Sequence, residues 1–143
     1  MTVAGIILDT NVVSEPLRPP GNPKVIAWLD RQTKETLFLT ATSLSELLTG
    51  MRILPDGERK ERLEASLNDW LPRIFGPRIL PFDREAAEEY ARIVSRARAR
   101  GGSISFPDAQ IAAIALVREF AVATRDAGPF RAAGVAVIDP WAE

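Results

Sequence analysis

Four acidic residues stand where this chain could carry out metal-assisted hydrolysis: Asp9, Glu46, Asp108 and Asp126. Asp9 ends the apolar run IIL, and Asp126 follows the apolar run AVAT. Glu46 lies in TATSLSELLTG behind a third apolar run, and Asp108 begins the apolar helical pattern DAQIAAIALVR. Ligand sites in parallel sheets gather at the carboxyl ends of the strands. If every strand is parallel, the four acids therefore lie along one edge of a sheet.

The residue types at these positions point to a hard divalent cation. Carboxylates within a few ångströms of one another repel, so at least one stays protonated unless a cation joins them. The chain has no histidine and no cysteine, which removes the commonest general base and the commonest zinc ligands. All-oxygen ligation favours Mg²⁺, with Mn²⁺ as the alternative. Such an ion lowers the pKa of a bound water and binds a phosphate oxygen, which suffices for phosphodiester hydrolysis.

Two of the acids also have a purely structural explanation in helix capping. Ser43 and Glu46 have the spacing of a capping box, in which the glutamate bonds back to the amide of the cap residue. Asp108, in a first helical turn, would interact favourably with the helix dipole. From the residues alone, these explanations stay open beside the metal site.

The other two acids can be explained by turns. Asp126 precedes Gly128-Pro129, which is typical of an Asx-turn, and Asp9 could cap the turn that carries Thr10 and Asn11. Spacing also leaves open a site role for two further acids that follow strands, Asp83 and Asp139.

The elements that must position these acids alternate along the chain. Short apolar segments predict five strands, at 5–8, 37–41, 78–82, 121–124 and 135–138. Apolar periodicity predicts helices at 23–32, 57–75, 84–100 and 108–118, and a further helix with Glu46 in its first turn. Alternating strands and helices predict an α/β fold with a parallel sheet. The length of 143 residues fits a single domain, 1–143.

Charge and composition limit the partners and the compartment. The net charge is −1, so nucleic-acid affinity must come from local basic patches rather than the global field. Arg125, beside Asp126, is the basic residue best placed for a phosphate contact. No apolar run reaches the ~18 residues that span a bilayer, and a chain without cysteine suits a reducing cytosol. We therefore expect a cytoplasmic protein without a membrane segment.

Six segments, in this order and spacing, resemble the PIN-domain ribonucleases: LDTNVVSE, SLSELLTG, LPFD, DAQIAAIA, AVATRD and VIDPW. The similarity is greatest to the VapC/FitB-like toxins of bacterial toxin–antitoxin pairs. It implies a PIN fold, with a central parallel sheet sandwiched by helices. The acids of the family's Mg²⁺ or Mn²⁺ pocket fall on Asp9, Glu46, Asp108 and Asp126. The hydroxyl of Thr124 would hold a carboxylate or the attacking water.

The same resemblance implies a function and a set of partners. The chain would be a metal-dependent endoribonuclease toxin and a homodimer. A small antitoxin would place its C-terminal segment in the toxin's groove, and operator DNA would be reached only through that antitoxin. The alternative is a catalytically weak antitoxin-binding partner that acts as a co-repressor in a DNA-bound complex.

Two other enzyme classes fit the residues less well. A phosphoaspartyl phosphatase needs a second aspartate two residues after the first, where this chain has Asn11. A receiver domain needs a lysine near a late strand end, but the lysines lie only at 24, 34 and 60.

Overall fold

A computed structural model of the chain describes residues 4–142. Its five strands are β1 (Ile6–Leu8), β2 (Leu37–Thr40), β3 (Ile79–Leu80), β4 (Ala121–Ala123) and β5 (Val137–Ile138). They form one sheet in the order β3-β2-β1-β4-β5, and every neighbouring pair is parallel. The predicted α/β fold with a parallel sheet is confirmed, although the strands are shorter than the apolar segments that predicted them.

Seven α-helices connect and cover the strands within the described residues: α1 (Thr10–Ser14), α2 (Pro23–Arg31), α3 (Ala41–Arg52), α4 (Glu58–Ile74), α5 (Arg84–Ala99), α6 (Phe106–Arg118) and α7 (Ala127–Ala132). The periodicity predicted α2, α4, α5 and α6 to within two residues at each end. It did not predict α1 and α7, because five or six residues are too few to show a helical repeat.

Side-chain caps decide where the helices begin, and they correct two expectations. Thr40 caps α3, because its Oγ1 accepts a hydrogen bond from the Ser43 amide at 3.0 Å. The capping-box explanation of Ser43 and Glu46 is therefore wrong, and Glu46 lies in the second turn rather than the first. Ser105 caps α6 by accepting from the Asp108 amide at 3.2 Å. That helix therefore starts at Phe106 rather than at 108.

The sheet separates two apolar cores, as expected for a parallel sheet covered on both faces. Ile7 and Val122 point to one side, where they pack with α5, α6 and Phe130. The neighbouring strand residues point to the other side and pack with Val12, Trp28 and Phe75. The helix α6 is buried on most of its surface, as its apolar sequence predicts. The two cores together hold the carboxyl ends of the strands in fixed relative positions.

The strand order places the chain's switch point at β1. The first connections lead outwards to β2 and β3, and the chain then crosses to the other side of β1 to form β4 and β5. Connections that leave in opposite directions open a crevice at the carboxyl ends of the two central strands. Here those strands are β1 and β4, which end at Leu8 and Ala123. Within residues 4–142, no helix combines the length and the apolar character needed to cross a membrane.

The approach of Gly5 to two aromatic rings generates a prediction about stability. A Cβ atom at this position would lie 2.8 Å from the Phe38 ring and 2.9 Å from the Phe120 ring. The two rings pack with their centroids 4.6 Å apart, so they can move little. We expect Gly5→Ala to destabilise the fold by about 1–3 kcal/mol, which thermal unfolding would detect as a lower Tm.

Gly50→Ala is the matched control, because nothing lies within 4 Å of its Cβ position in α3. Alanine has the higher helix propensity, so this control should keep or raise the Tm. An unchanged Tm in Gly5→Ala would contradict the close packing at the start of β1.

Candidate active site

Asp9 lies at the switch point and is held there by three hydrogen bonds. Its amide donates to the carbonyl of Ala123 on β4 at 2.9 Å. Its Oδ1 accepts from the Thr10 amide at 2.8 Å, and its Oδ2 accepts from the Thr124 hydroxyl at 2.8 Å. The residue is only 7% exposed. Capping of α1 therefore explains one carboxylate oxygen of Asp9. The other is bound by Thr124, which lies directly behind β4 and 115 residues away along the chain.

Thr124 joins the two loops at the switch point. While its Oγ1 donates to Asp9, it also accepts from the Asp126 amide at 3.0 Å and from Asn11 Nδ2 at 3.3 Å. The Asn11 side-chain oxygen in turn accepts from the Arg125 amide at 3.4 Å. Donating once and accepting twice uses the full capacity of a hydroxyl. The buried Thr124 thus fixes the orientation of the Asp9 carboxylate.

Glu46 reaches the same edge of the sheet from α3. Its Oε1 accepts a hydrogen bond from the Thr10 hydroxyl at 2.9 Å. Glu46 itself is exposed, and Thr10 is the first residue of α1, directly behind Asp9. The contact joins the acid of β1 to the acid that follows β2.

Asp108 and Asp126 approach the edge from the other face. Asp108 is the third residue of α6 and is half-buried, and Asp126 immediately precedes α7. The Asp126 carboxylate makes no capping hydrogen bond to the amides of α7. An Asx-turn or cap therefore does not explain this acid.

The raised pKa values of Asp9 and Asp108 link the four carboxylates electrostatically in pairs. Burial raises the pKa of Asp9, and the negative charges of Asp108 and Glu46 raise it further, against the hydrogen bonds from Thr124 and Thr10. Burial also raises the pKa of Asp108, with an additional rise from the charge of Asp126. The charge of Asp9 is therefore coupled to those of Asp108 and Glu46, and the charge of Asp108 is coupled to that of Asp126.

The geometry also limits how a metal can be bound. Among the residues from 4 to 142, no three His, Cys, Asp or Glu side chains are arranged to enclose one ion directly. Mg²⁺ characteristically takes one or two carboxylates, keeps several waters and binds substrate phosphates. A loose group of four carboxylates, in which Asp9 and Asp108 have raised pKa values, fits such a hydrated ion better than it fits a preformed protein cage.

The other two strand-end acids have structural roles. Asp83 Oδ1 accepts from the Ala86 amide at 3.0 Å and so caps α5. Asp139 Oδ1 accepts from the Trp141 amide at 2.9 Å in the turn after β5. Hydrogen bonding in the structure therefore gives Asp83 and Asp139 a structural explanation, which spacing could not do.

Sequence reasoning missed two polar residues of this site, Thr10 and Asn11. They orient Glu46 and Thr124 respectively. The signal was present in the tripeptide DTN directly behind β1, because polar residues that follow a buried strand at a switch point face the crevice. Their individual partners depend on elements 36 and 113 residues away along the chain.

An apolar groove of about 800 Å³ begins at the acid cluster. Thr10, which directly follows Asp9, and Glu46 both line this groove. Its walls are Leu47, Met51, Leu54, Leu63 and Leu67 from the region of α3 and α4, and Arg18, Arg59 and Arg62 also line it. We call this surface the α3–α4 groove.

The basic residues near the site differ in how freely their charge is available. Arg62 pairs with Glu58, Lys60 with Asp56, and Arg92 with Glu89. Arg125 instead lies 5.3 Å from the ring centroid of Trp141 in a cation–π contact. This contact places its guanidinium over Trp141, in the turn after β5, and the expected phosphate contact of Arg125 stays a prediction.

Comparison with known proteins places the chain in a family. The PIN-domain family model matches residues 6–135. The chain therefore belongs to the PIN-domain family.

Its relatives are named for toxin and stability functions. The chain is 46% identical to the plasmid stability protein StbB of Pseudomonas syringae and 46% identical to toxin FitB of Neisseria gonorrhoeae. Both alignments cover 95% of this chain and 98% of the relative. It is also 43% identical to VapC ribonuclease Y4jK of Sinorhizobium fredii, over 95% of this chain and 97% of that protein.

Solved structures match the fold closely. The crystal structure of FitAcB from Neisseria gonorrhoeae superposes with a TM-score of 0.90 at 46% identity, covering 95% of this chain and 98% of the matched chain. The structure of FitAB bound to an IR36 DNA fragment has the same TM-score of 0.90 at 45% identity, covering 95% of both chains.

The raised pKa of Asp108 generates a prediction about stability and pH. A raised folded-state pKa means that the folded chain binds the proton more tightly than the unfolded chain. The ionised group therefore costs stability above the folded-state pKa, and the cost vanishes below the unfolded value of about 3.9. We expect Asp108→Asn to raise the Tm by about 1–3 °C at neutral pH without divalent cations.

Measuring Tm across pH tests this explanation. The difference between the variant and the wild type should shrink as the pH falls towards about 3.5. Asp83→Asn serves as the control, because asparagine caps a helix as well as aspartate does and should not raise the Tm. If Asp108 served only the helix dipole, its replacement would lower the Tm instead.

Proposed function

We propose that this chain is a metal-dependent endoribonuclease and the toxin of a toxin–antitoxin pair. The proposal rests on the position of the four acids Asp9, Glu46, Asp108 and Asp126 along the carboxyl edge of the sheet. The Thr10 hydrogen bond joins Glu46 to the residue behind Asp9, and charge effects link Asp9 with Glu46 and Asp108. The relatives support it, because one is named a VapC ribonuclease and another toxin FitB. An RNA substrate and the lack of a membrane-crossing helix in residues 4–142 are consistent with action in the cytoplasm.

Asp9 and Asp108 would be the principal ligands of the ion, directly or through water. Glu46 and Asp126 would complete the shell and orient the attacking water. The ion would be Mg²⁺, with Mn²⁺ as the alternative, since all the donors are oxygens. When bound, it supplies an activated water and neutralises charge on the phosphate.

The chain's own residues prepare this site before any substrate arrives. Thr124 holds Asp9 in one orientation through its 2.8 Å hydrogen bond, which leaves less to be ordered on binding. Thr10 does the same for Glu46 at 2.9 Å. In-line attack on the phosphorus by the oriented water would leave a 5′-phosphate and a 3′-hydroxyl.

Loss of either principal ligand should remove cleavage. We expect Asp9→Asn and Asp108→Asn to lower the rate of RNA cleavage by at least about 100-fold, since each removes a charge that the ion requires. EDTA should abolish wild-type cleavage, and added Mg²⁺ or Mn²⁺ should restore it. Quantifying end-labelled fragments and their 5′ ends would measure both effects.

Asp83→Asn is the matched control, since Asp83 also follows a strand but caps α5. It should cleave like the wild type. If Asp108→Asn cleaves RNA at the normal rate, the assignment of Asp108 as a principal metal ligand is wrong. A wild-type chain that binds its partner but cuts no RNA would favour the co-repressor alternative.

We also propose that the α3–α4 groove binds a segment of a small antitoxin. Its leucines and Met51 offer an apolar floor, so a helix with an apolar face fits it. Arg59 lines the same surface, where an acidic residue of the partner could pair with it. Such a partner would lie directly against Glu46 and Thr10. Operator DNA would be bound through this antitoxin, and the toxin itself would form a homodimer.

A charge in the groove should separate partner binding from catalysis. We expect Leu63→Glu to weaken binding of the antitoxin encoded beside this chain's gene by about 10-fold or more, because the occupant would bury an unpaired carboxylate. RNA cleavage should continue. Isothermal titration and the cleavage assay together measure the two effects.

Ile53→Glu is the control for this experiment. Ile53 is 76% exposed and does not line the groove, so its replacement should leave the affinity unchanged. Equal loss of affinity in both variants would place the antitoxin elsewhere.

A further inference from the structure

Phe106 is an exposed aromatic residue beside the acid cluster. It is 63% exposed, and among residues 4–142 the other large hydrophobic side chain with comparable exposure is Ile53. Single exposed hydrophobic residues are common on protein surfaces. Phe106 is distinguished by its place in the first turn of α6, the turn that also carries Asp108, although side chains two residues apart point to different sides of a helix.

The Phe106 ring is held by a row of aromatic side chains. Phe82, which follows β3, makes an edge contact with Tyr90 of α5 at a centroid distance of 5.9 Å. Tyr90 makes a second edge contact with Phe106 at 5.5 Å. Phe82 and Tyr90 are partly buried and pack against the core. Phe106 is therefore the outer end of an anchored row, and a tilted contact on one side leaves the opposite face of its ring accessible.

The helix places this ring towards the start of α3. Gln110 follows Phe106 by four residues and so shares its face of α6. Gln110 Oε1 accepts a hydrogen bond from the hydroxyl of Thr42, in the first turn of α3, at 2.8 Å. Because α3 also carries Glu46, the aromatic row borders the acid cluster on the side of β2 and β3. Arg125 borders it on the opposite side, behind β4.

The surroundings of Phe106 favour a nucleic-acid base over an apolar protein surface. Polar residues accompany the ring: Ser105 precedes it as the cap of α6, and Gln110 shares its face of the helix. Unpaired bases stack on aromatic side chains, whereas bases within a duplex have no free face for such a contact.

We infer that Phe106 is a stacking platform for one unpaired base of the RNA substrate, close to the phosphodiester that is cut. The inference rests on the proposed ribonuclease function and adds a positioning residue for the RNA at that site. A strand crossing the site would place its phosphates between Arg125 and Asp108 and one base on Phe106. Phe106 thereby positions the substrate without taking part in the bond exchange.

The test compares Phe106→Ala with the wild type on a single-stranded RNA oligonucleotide that the wild type cuts. Loss of one stacked base should raise KM by roughly 5- to 100-fold, while kcat changes by less than about 3-fold, because the acids are untouched. Phe106→Trp should restore the wild-type KM. Ile53→Ala, the control at the other exposed large hydrophobic residue, should have no effect.

A scan with single abasic nucleotides identifies the stacked base. At one position near the cleavage site, removing the base should raise the wild-type KM as Phe106→Ala does, and should add nothing further in Phe106→Ala. Additive losses at every position would overturn the inference. An unchanged kcat/KM in Phe106→Ala would overturn it as well.

Other results separate this inference from the function on which it rests. If the wild type shows no EDTA-sensitive cleavage of RNA, the proposed function itself fails. If Phe106→Ala changes the molar mass measured by light scattering and loses activity equally on all substrates, the ring serves contact between copies. That outcome overturns the stacking role and leaves the nuclease proposal standing.

Discussion

The hydrogen bond from the Thr124 hydroxyl to the buried Asp9 carboxylate is the contact on which the rest of the site depends. It joins the ends of β1 and β4, the two strands between which the chain changes direction. The same hydroxyl accepts from the Asp126 amide and from Asn11, so it positions the loops behind both strands. A hydroxyl can serve this way only when all its bonds are made, because a buried unsatisfied group is costly.

The site carries an electrostatic cost that the rest of the fold must offset. Asp9 and Asp108 have raised pKa values because they are buried near other carboxylates. Such repulsion is typical of functional sites, where stability is given up for a group of charges that a ligand can use. The apolar helix α6, buried on most of its surface, carries one of these acids and anchors it in the core.

Two surfaces of different chemistry meet at this edge of the sheet. The α3–α4 groove ends at Glu46 and Thr10 and is apolar with arginines along it. On the other side, Phe82, Tyr90 and Phe106 form an aromatic row. Because both surfaces border the same carboxylates, whatever occupies either of them lies in the field of the acid cluster. The fold thus places two surfaces of different chemistry beside one group of carboxylates.

The sequence by itself determined the alternation of strands and helices and the parallel sheet, because burial and periodicity are local signals. It also predicted the edge of the sheet along which the four acids lie. It could not decide between metal ligand and helix cap for Glu46, nor set Asp83 and Asp139 apart. Only the tertiary structure showed that Thr40 caps α3 and that Thr10 binds Glu46. Hydrogen-bond partners and shared electric fields depend on distances between residues far apart in the chain, and packing sets those distances.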